Sequence, residues 1–226
     1  MQELLNQYFP NVMSKLPDFY LSIQETIVMV LWSGVIALII GAILGILLVV
    51  TKEGGLMEKK AVFHIFDKVI NLFRSIPFII LLTGVMPVSR LIMGTAIGVE
   101  GAIVPLIFGT VPFFARQMES ALSEVSPGLV EAAQSIGNSK FEIIINVYLK
   151  ESIPQISRAV SITMISLIGL TAMAGVVGAG GLGDFAVRYG HDRNQTDVTY
   201  ATIIVLVIMV SLIQLIGNYI SRKNTH

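Results

Sequence analysis

Three stretches of the chain run for more than twenty residues without a charged side chain. Residues 26–51 give 26 such positions, 159–183 give 25 and 198–221 give 24. A membrane-crossing helix needs about 20 residues at a rise of about 1.5 Å each, so each stretch is long enough to cross. Two shorter stretches follow the same trend. Residues 75–89 hold 15 uncharged positions, and the run lengthens if Arg74 snorkels to the headgroups and 69–73 join it. Residues 101–115 also hold 15, broken by Pro105, Gly109 and Pro112. Lipid cannot hydrogen-bond the backbone groups that such residues free, so this span is predicted to pack inside the protein. The pattern predicts an all-α polytopic membrane protein with five transmembrane helices, over residues 26–50, 69–88, 101–118, 159–179 and 199–220.

Residues 1–25 contain Pro10, Pro17 and one lysine, with no compact apolar run of the kind that marks a signal peptide. They are expected to form an interfacial segment with a short amphipathic helix, with Tyr8, Phe9 and Leu16 at the membrane surface. Residues 223–226 are left as a C-terminal tail.

Between the third and fourth spans lies a polar, punctuated segment, "SPGLVEAAQSIGNSKFEIIINVYLKESIP", residues 126–154. Ser126 and Pro127 form an N-cap and first-turn pair. The helix they open meets Gly137, a residue able to take positive φ just past a helix end. Ser139 then begins S-K-F-E, a capping box in which Glu142 answers Ser139. Phe141, Ile144, Ile145 and Tyr148 follow at helical spacing and predict one apolar face. The expected shape is a short helix, a sharp turn fixed by Gly137, and a second amphipathic helix over 139–149. Ala132 and Ala133 beside Glu131 offer a small-residue surface for close approach by a soluble protein. An interfacial loop with no partner is the plainer reading.

Composition agrees with the membrane assignment. Only 13% of the 226 residues are charged and the mean hydropathy is +0.79, whereas a soluble domain is about one quarter charged. The net charge of zero gives no case for nucleic acid, and zero cysteines exclude disulfides and thiolate sites. The cations are unevenly spread. Lys52, Lys59, Lys60, Lys68, Arg74, Arg116, Lys140, Lys150, Arg158, Arg222 and Lys223 fall on one side of the predicted topology, and Lys15, Arg90, Arg188 and Arg193 on the other. The positive-inside rule then places the N-terminus outside, the C-terminus in the cytoplasm, and the 126–154 segment on the cytoplasmic face.

Two motifs need weighing. "GAGGLG" at 178–183 satisfies G-x-G-x-x-G. A dinucleotide fingerprint requires a preceding strand and a βαβ unit, whereas here an apolar helix of spanning length precedes it. The glycines read instead as a tight exit from the fourth span. No G-x-x-x-x-G-K-[ST] occurs in the chain. No cofactor or metal is expected on it: His64 lies near Asp67, while His191 and His226 gather no ligand set.

The residues "EAAQSIG" at 131–137, followed after a helix by Pro154, resemble the EAA loop of ABC importer permeases. "NLFRSIPFIILL" (71–82), "GTAIG" (94–98), "AIVPL" (102–106), "PFFAR" (112–116) and "GVVGAGGLGDFAVRYG" (175–190) extend the resemblance, over nearly all of residues 20–222, to the methionine-importer permeases. That family has five spans in a type I ABC importer arrangement. The resemblance implies that Glu131, Ala132, Ala133, Gly137, Ser139 and Glu142 couple the chain to a separate ATPase subunit. It implies ATP and magnesium in that partner, no hydrolysis here, two ATPase subunits, a second copy of this chain, a periplasmic or extracellular substrate-binding protein, and residence in a bacterial inner membrane. The binding protein would meet the loops at 89–100 and 180–198. A proline usual in the family is replaced by Lys150, so the second cytoplasmic helix is expected to run one turn further.

The spans carry no charge away from their ends, which disfavours an ion-coupled carrier. The fourth span offers Ser161, Thr163, Ser166 and Thr171, whose hydroxyls either satisfy backbone carbonyls or line a weakly polar path. Met164 and Met173 are nine residues apart, half a turn out of phase, so both cannot face one narrow pore. The related permeases place a gate at the outer ends of the spans, which nominates Ala174, Gly175 and Gly178; Met164, Ser166 and Met173 are the pathway candidates. An ion-coupled carrier, a permease for another small solute, and a membrane anchor remain the alternatives.

Overall fold

The computed structural model describes residues 6–224. Residues 1–5, Thr225 and His226, which belong to the predicted terminal segments, lie outside that range. The described elements are α1 (Pro10–Met13), α2 (Leu16–Thr51), α3 (Lys60–Ser75), α4 (Phe78–Met93), α5 (Gly98–Ser123), α6 (Pro127–Ser135), α7 (Lys140–Ile143), α8 (Ile153–Ala174), α9 (Gly181–Phe185) and α10 (Thr196–Lys223). Wide π turns occupy Ile144–Leu149 and Ala186–His191, and Gly175–Ala179 form a kink with non-helical backbone at Val177 and Gly178. No β-strand occurs among the described residues, which removes the dinucleotide reading of "GAGGLG".

The chain is all-α, with four to five helices of spanning length and polarity. Four of the predicted spans match α2, α5, α8 and α10. The second departs from expectation. Instead of one helix over 69–88, α3 and α4 meet at Ile76–Pro77 with a bend of 111°. The cause is local: Pro77 excludes the helical region for the residue before it, and Ile76 sits at φ −84°, ψ 123°. The first span also starts earlier than predicted, because Leu16–Glu25 continue the helix without a break.

The chain divides into two compact units. The first comprises the described residues up to Val35, with Pro77–Ile107 and Met164–Ile213. Its core gathers Met29, Val30, Leu82, Leu106, Leu167, Ile168 and Ala174. A satellite cluster joins Val12, Phe185 and Val198, with Phe9 and Phe19 packed on it. Phe9, expected at the membrane surface, therefore serves this cluster, while Tyr8 is exposed as anticipated. Next to the cluster, the Tyr189 ring has Lys15, Arg188 and Arg193 at 5.3, 5.2 and 4.8 Å from its centroid. The Tyr189 hydroxyl donates to Asp18 at 3.1 Å.

The second unit comprises Ile36–Ile76, Phe108–Thr163 and the described residues from Gln214 onward. Its core holds Val49, Phe114, Met118, Leu122 and Ala159, with Leu48, Ile70 and Ala115 in a neighbouring cluster. Gly41 and Gly45 lie one helical turn apart on α2, and a Cβ at either would collide with α5 at Phe114 or Met118. Small residues at this spacing let two helices approach closely. Arg116 of α5 pairs with Asp67 of α3 and with Glu119.

The prediction that the proline-bearing third span is sheltered agrees with the burial. Of the 18 most apolar consecutive residues of α5 56% are buried, against 17% in α10. One of its broken backbone bonds has a visible substitute. Pro105 has no N–H to offer Gly101, the residue four before it, and Ser89 Oγ of α4 donates to the Gly101 carbonyl at 2.5 Å.

Candidate coupling and gating sites

The coupling candidates form in the second unit much as the residue types demand. Ser126 occupies the N-cap of α6 with extended backbone, φ −60° and ψ 129°, although its hydroxyl makes no capping bond there. At the other end Gly137 takes φ +87°. Its N–H donates to Gln134 O at 3.0 Å, and the Asn138 N–H donates to Ala133 O at 3.2 Å. These are the two bonds of a Schellman motif, which turns the chain sharply while satisfying the last carbonyls. Two residues on, the capping box is complete. The Ser139 N–H donates to Glu142 Oε2 at 2.7 Å, and the Glu142 N–H donates to Ser139 Oγ at 3.3 Å. Hydrogen bonding from the Ser139 side chain, then from its backbone, holds the Glu142 carboxyl below the usual glutamate range.

Exposure differs from the predicted faces in two ways. Of the alanine pair, Ala132 points outward but Ala133 is 6% exposed, so the small surface is one alanine wide. On the second helix the expected stripe of Phe141, Ile144, Ile145 and Tyr148 does not form the buried face. Ile143 is buried, and Tyr148 and Leu149 pack against the cluster of Val49, Phe114 and Met118, while Phe141 remains 69% exposed. The π turn at Ile144–Leu149 is the reason, since i→i+5 bonding alters the angular step between residues. Lys150 is helical at φ −69°, ψ −45°, so the helix does continue where the family has its proline.

Two large apolar residues, missed from the sequence as surface features, stand out on this segment. Ile136 is 79% exposed at the turn and Phe141 69% exposed just beyond it. Ile136 precedes Gly137 directly and Phe141 follows it by four residues, and Glu131 and Ala132 of α6 are exposed as well. Periodicity assigned Phe141 to the apolar stripe of the second helix and gave no face to Ile136. Behind α6 lies a cavity of about 260 Å³, whose lining includes Lys52, Ser123, Glu131, Gln134 and Tyr148. Lys52 Nζ donates to Ser123 Oγ at 3.0 Å across one side of it. Burial pushes the Tyr148 phenol above its ordinary range.

The gate and pathway candidates lie in the first unit and do not converge on one surface. Ala174 belongs to the apolar core, and Met164 packs against the same core. Met173 is exposed on the other side, as the half-turn offset demands. The hydroxyls of Ser161, Thr163 and Thr171 donate to carbonyls of their own helix at 2.7–2.9 Å. The hydroxyl of half-buried Ser166 makes no hydrogen bond among the described residues. Gly178 sits where the helix breaks, at φ 91°. Gly175 is packed so tightly that a Cβ would stand 2.5 Å from Asp184 N.

Known proteins match this chain over most of its length. A family model described as binding-protein-dependent transport system inner membrane component covers residues 37–225. The probable D-methionine transport system permease protein MetI of Vibrio cholerae is 44% identical over 202 residues, 89% of this chain and 90% of that one. The methionine import system permease protein MetP of Bacillus subtilis is 41% identical over 219 residues, covering 97% of this chain and 98% of its own. Among solved structures, an inward-facing conformation of the MetNI methionine ABC transporter, in its native crystal form, superimposes with a TM-score of 0.91. It is 40% identical and the match covers 94% of this chain and 99% of that chain. The chain belongs to the family of binding-protein-dependent transport system inner membrane components.

Proposed function

We propose that this chain is the membrane permease subunit of an ATP-driven methionine importer, forming the solute path and leaving hydrolysis to separate ATPase subunits. The observation that carries the reading is the match to the methionine ABC transporter over nearly the whole chain. The assembly is two copies of this chain, two ATPase subunits bearing ATP and magnesium, and a binding protein that delivers solute on the far side. The transport domain occupies residues 26–222. The chain crosses five times if α3 and α4 together make one bent span, with the N-terminus outside and the C-terminus in the cytoplasm; the eleven-to-four distribution of cations supports that orientation.

In this reading Glu131, Ala132, Ala133, Gly137, Ser139 and Glu142 form the coupling knuckle. The Schellman turn and the capping box supply what a lever needs, because one helix end is locked by backbone bonds and the other by reciprocal side-chain-to-backbone bonds, which fix the angle between them. Nucleotide state can drive the solute path only if the ATPase holds this knuckle differently in its two states. Met164, Ser166, Met173, Ala174, Gly175 and Gly178 are the pathway and gate candidates. Solute selectivity rests largely with the delivery protein, since no charged pair in the spans is placed to grip both ends of an amino acid.

Reconstitution tests the assignment. Vesicles holding this chain, a candidate ATPase and a methionine-binding protein are expected to accumulate methionine only when ATP is present on the ATPase side. Uptake by the chain alone, driven by an ion gradient, would assign it instead to secondary carriers. Recruitment of the ATPase with no solute movement at all would leave it a membrane anchor.

A further inference from the structure

The glycine-rich exit of the fourth span is held from a distance by two neighbouring residues of the first long helix. Glu25 Oε2 accepts from the Gly181 N–H at 2.6 Å, and Thr26 Oγ1 accepts from the Leu182 N–H at 2.8 Å. Thr26 is buried and donates to Ser22 O at 2.9 Å, so its lone pair is aimed by a second bond. These two amides are the first of the helical run that starts at Gly181, where the helix has no backbone acceptors of its own to offer. A carboxylate there is also favoured by the partial positive charge of the helix start.

The glycines of this segment divide into two kinds. Gly180 and Gly181 have φ of 80° and 77° and touch the clamp directly. A Cβ on Gly180 would lie 2.7 Å from Glu25 Oε2, and one on Gly181 2.8 Å from Met29 Cε and from Thr26 Oγ1. Gly178, at φ 91°, has nothing within 4 Å of where a Cβ would stand. The backbone is therefore pinned at 180–182 and unobstructed at 178, which makes Gly178 the joint and the Glu25–Thr26 pair the catch.

We propose that Glu25 and Thr26 are positioning residues for transport: they hold the Gly181 and Leu182 amides, and the glycine-rich exit rearranges only when those two bonds are released. The role in transport rests on the permease reading above, whereas the clamp itself is a property of this chain. Because the chain has no cysteine, Val177→Cys gives a single reporter on the segment, and Val177 is packed against the apolar core in the clamped arrangement. In vesicles holding the full complex, Glu25→Ala is expected to raise the rate of maleimide labelling at position 177 about tenfold and to cut uptake by a similar factor, the scale of one charge-assisted hydrogen bond. Glu25→Gln keeps an acceptor oxygen and is expected to return labelling to within about threefold of the parent. Thr26→Val, which preserves shape but removes the acceptor, should raise labelling in the same direction as Glu25→Ala; this covers the case in which the alanine variant misfolds. Labelling in Glu25→Ala and Thr26→Val equal to the parent, or Glu25→Gln as reactive as Glu25→Ala, overturns the clamp. Faster labelling with unchanged uptake overturns its role in transport. If the parent complex fails to take up methionine while labelling still responds to Glu25→Ala, the permease reading fails and the clamp stands.

Discussion

Gly137 owes its place at the bend to backbone freedom alone. Its φ of +87° is the only obstacle to a side chain there, since nothing lies within 4 Å of a built Cβ. Substitution should therefore strain the backbone without creating a clash. A β-branched residue in this region costs roughly 1–2 kcal/mol, enough to reshape the bend but not to unfold a membrane domain. Gly137→Val is expected to insert normally and to bind the ATPase, yet to lower methionine uptake per ATP hydrolysed several-fold; paired assays of uptake and hydrolysis check this. Gly137→Asn, which tolerates positive φ, should restore much of the ratio. Full coupling in the valine variant would show that the bend is not the lever. This residue was legible in the sequence because the signal is local: a glycine between one capped helix and the capping box of the next. Glu25 was not. It stands 156 positions from the amide it binds, and nothing in its own neighbourhood marks it as more than the last charge before a span.

Elements were legible where one rule governed them and misread where two competed. The charge-free runs located α2, α8 and α10 because burial in lipid imposes a single requirement on each. The second span was read as one unbroken helix because the allowance made for Arg74 overrode the steric statement of Pro77, and the helix bends by 111° there. The face of the second cytoplasmic helix failed because the periodicity assumed an α-helix throughout, whereas the π turn changes the angular step at Ile144. The third span was read correctly as sheltered, and the structure adds the device that makes its proline tolerable, Ser89 bonded to the carbonyl that Pro105 leaves free. Ser89→Ala is expected to destabilise the first unit by about 1–3 kcal/mol, the cost of a buried carbonyl without a partner. Pro105→Ala in the same chain supplies a new N–H four residues on and should recover part of that loss. Thermal inactivation of the two single variants and the double variant in detergent measures the coupling; strict additivity would mean that Ser89 and Pro105 do not share the Gly101 carbonyl.

The proposed orientation in the membrane rests on the cation distribution, and the absence of cysteine makes it directly measurable. Asn138→Cys adds one thiol beside the bend and leaves both Schellman bonds in place, since they use backbone groups. In right-side-out vesicles it is expected to resist an impermeant maleimide and to react once the membrane is opened; ready reaction in sealed vesicles would invert the topology and with it the coupling reading. The fold class was fixed by composition and run length, while the solute was not, because the chain places no charged pair in its spans to name one. The aromatic ring of Tyr189 has a consequence of its own. Of the three cations around it only Lys15 comes from a distant part of the chain, so that contact and the Tyr189–Asp18 hydrogen bond tie the segment around Lys15 to the ring, while Arg188 and Arg193 lie close to Tyr189 in sequence. Electrolyte weakens all three at once, because the Debye length falls to about 8 Å at 0.15 M and about 3 Å at 1 M. The hold of this ring on the segment around Lys15 thus rests on one ammonium and one hydroxyl, and the ammonium's share is the part that yields to brine.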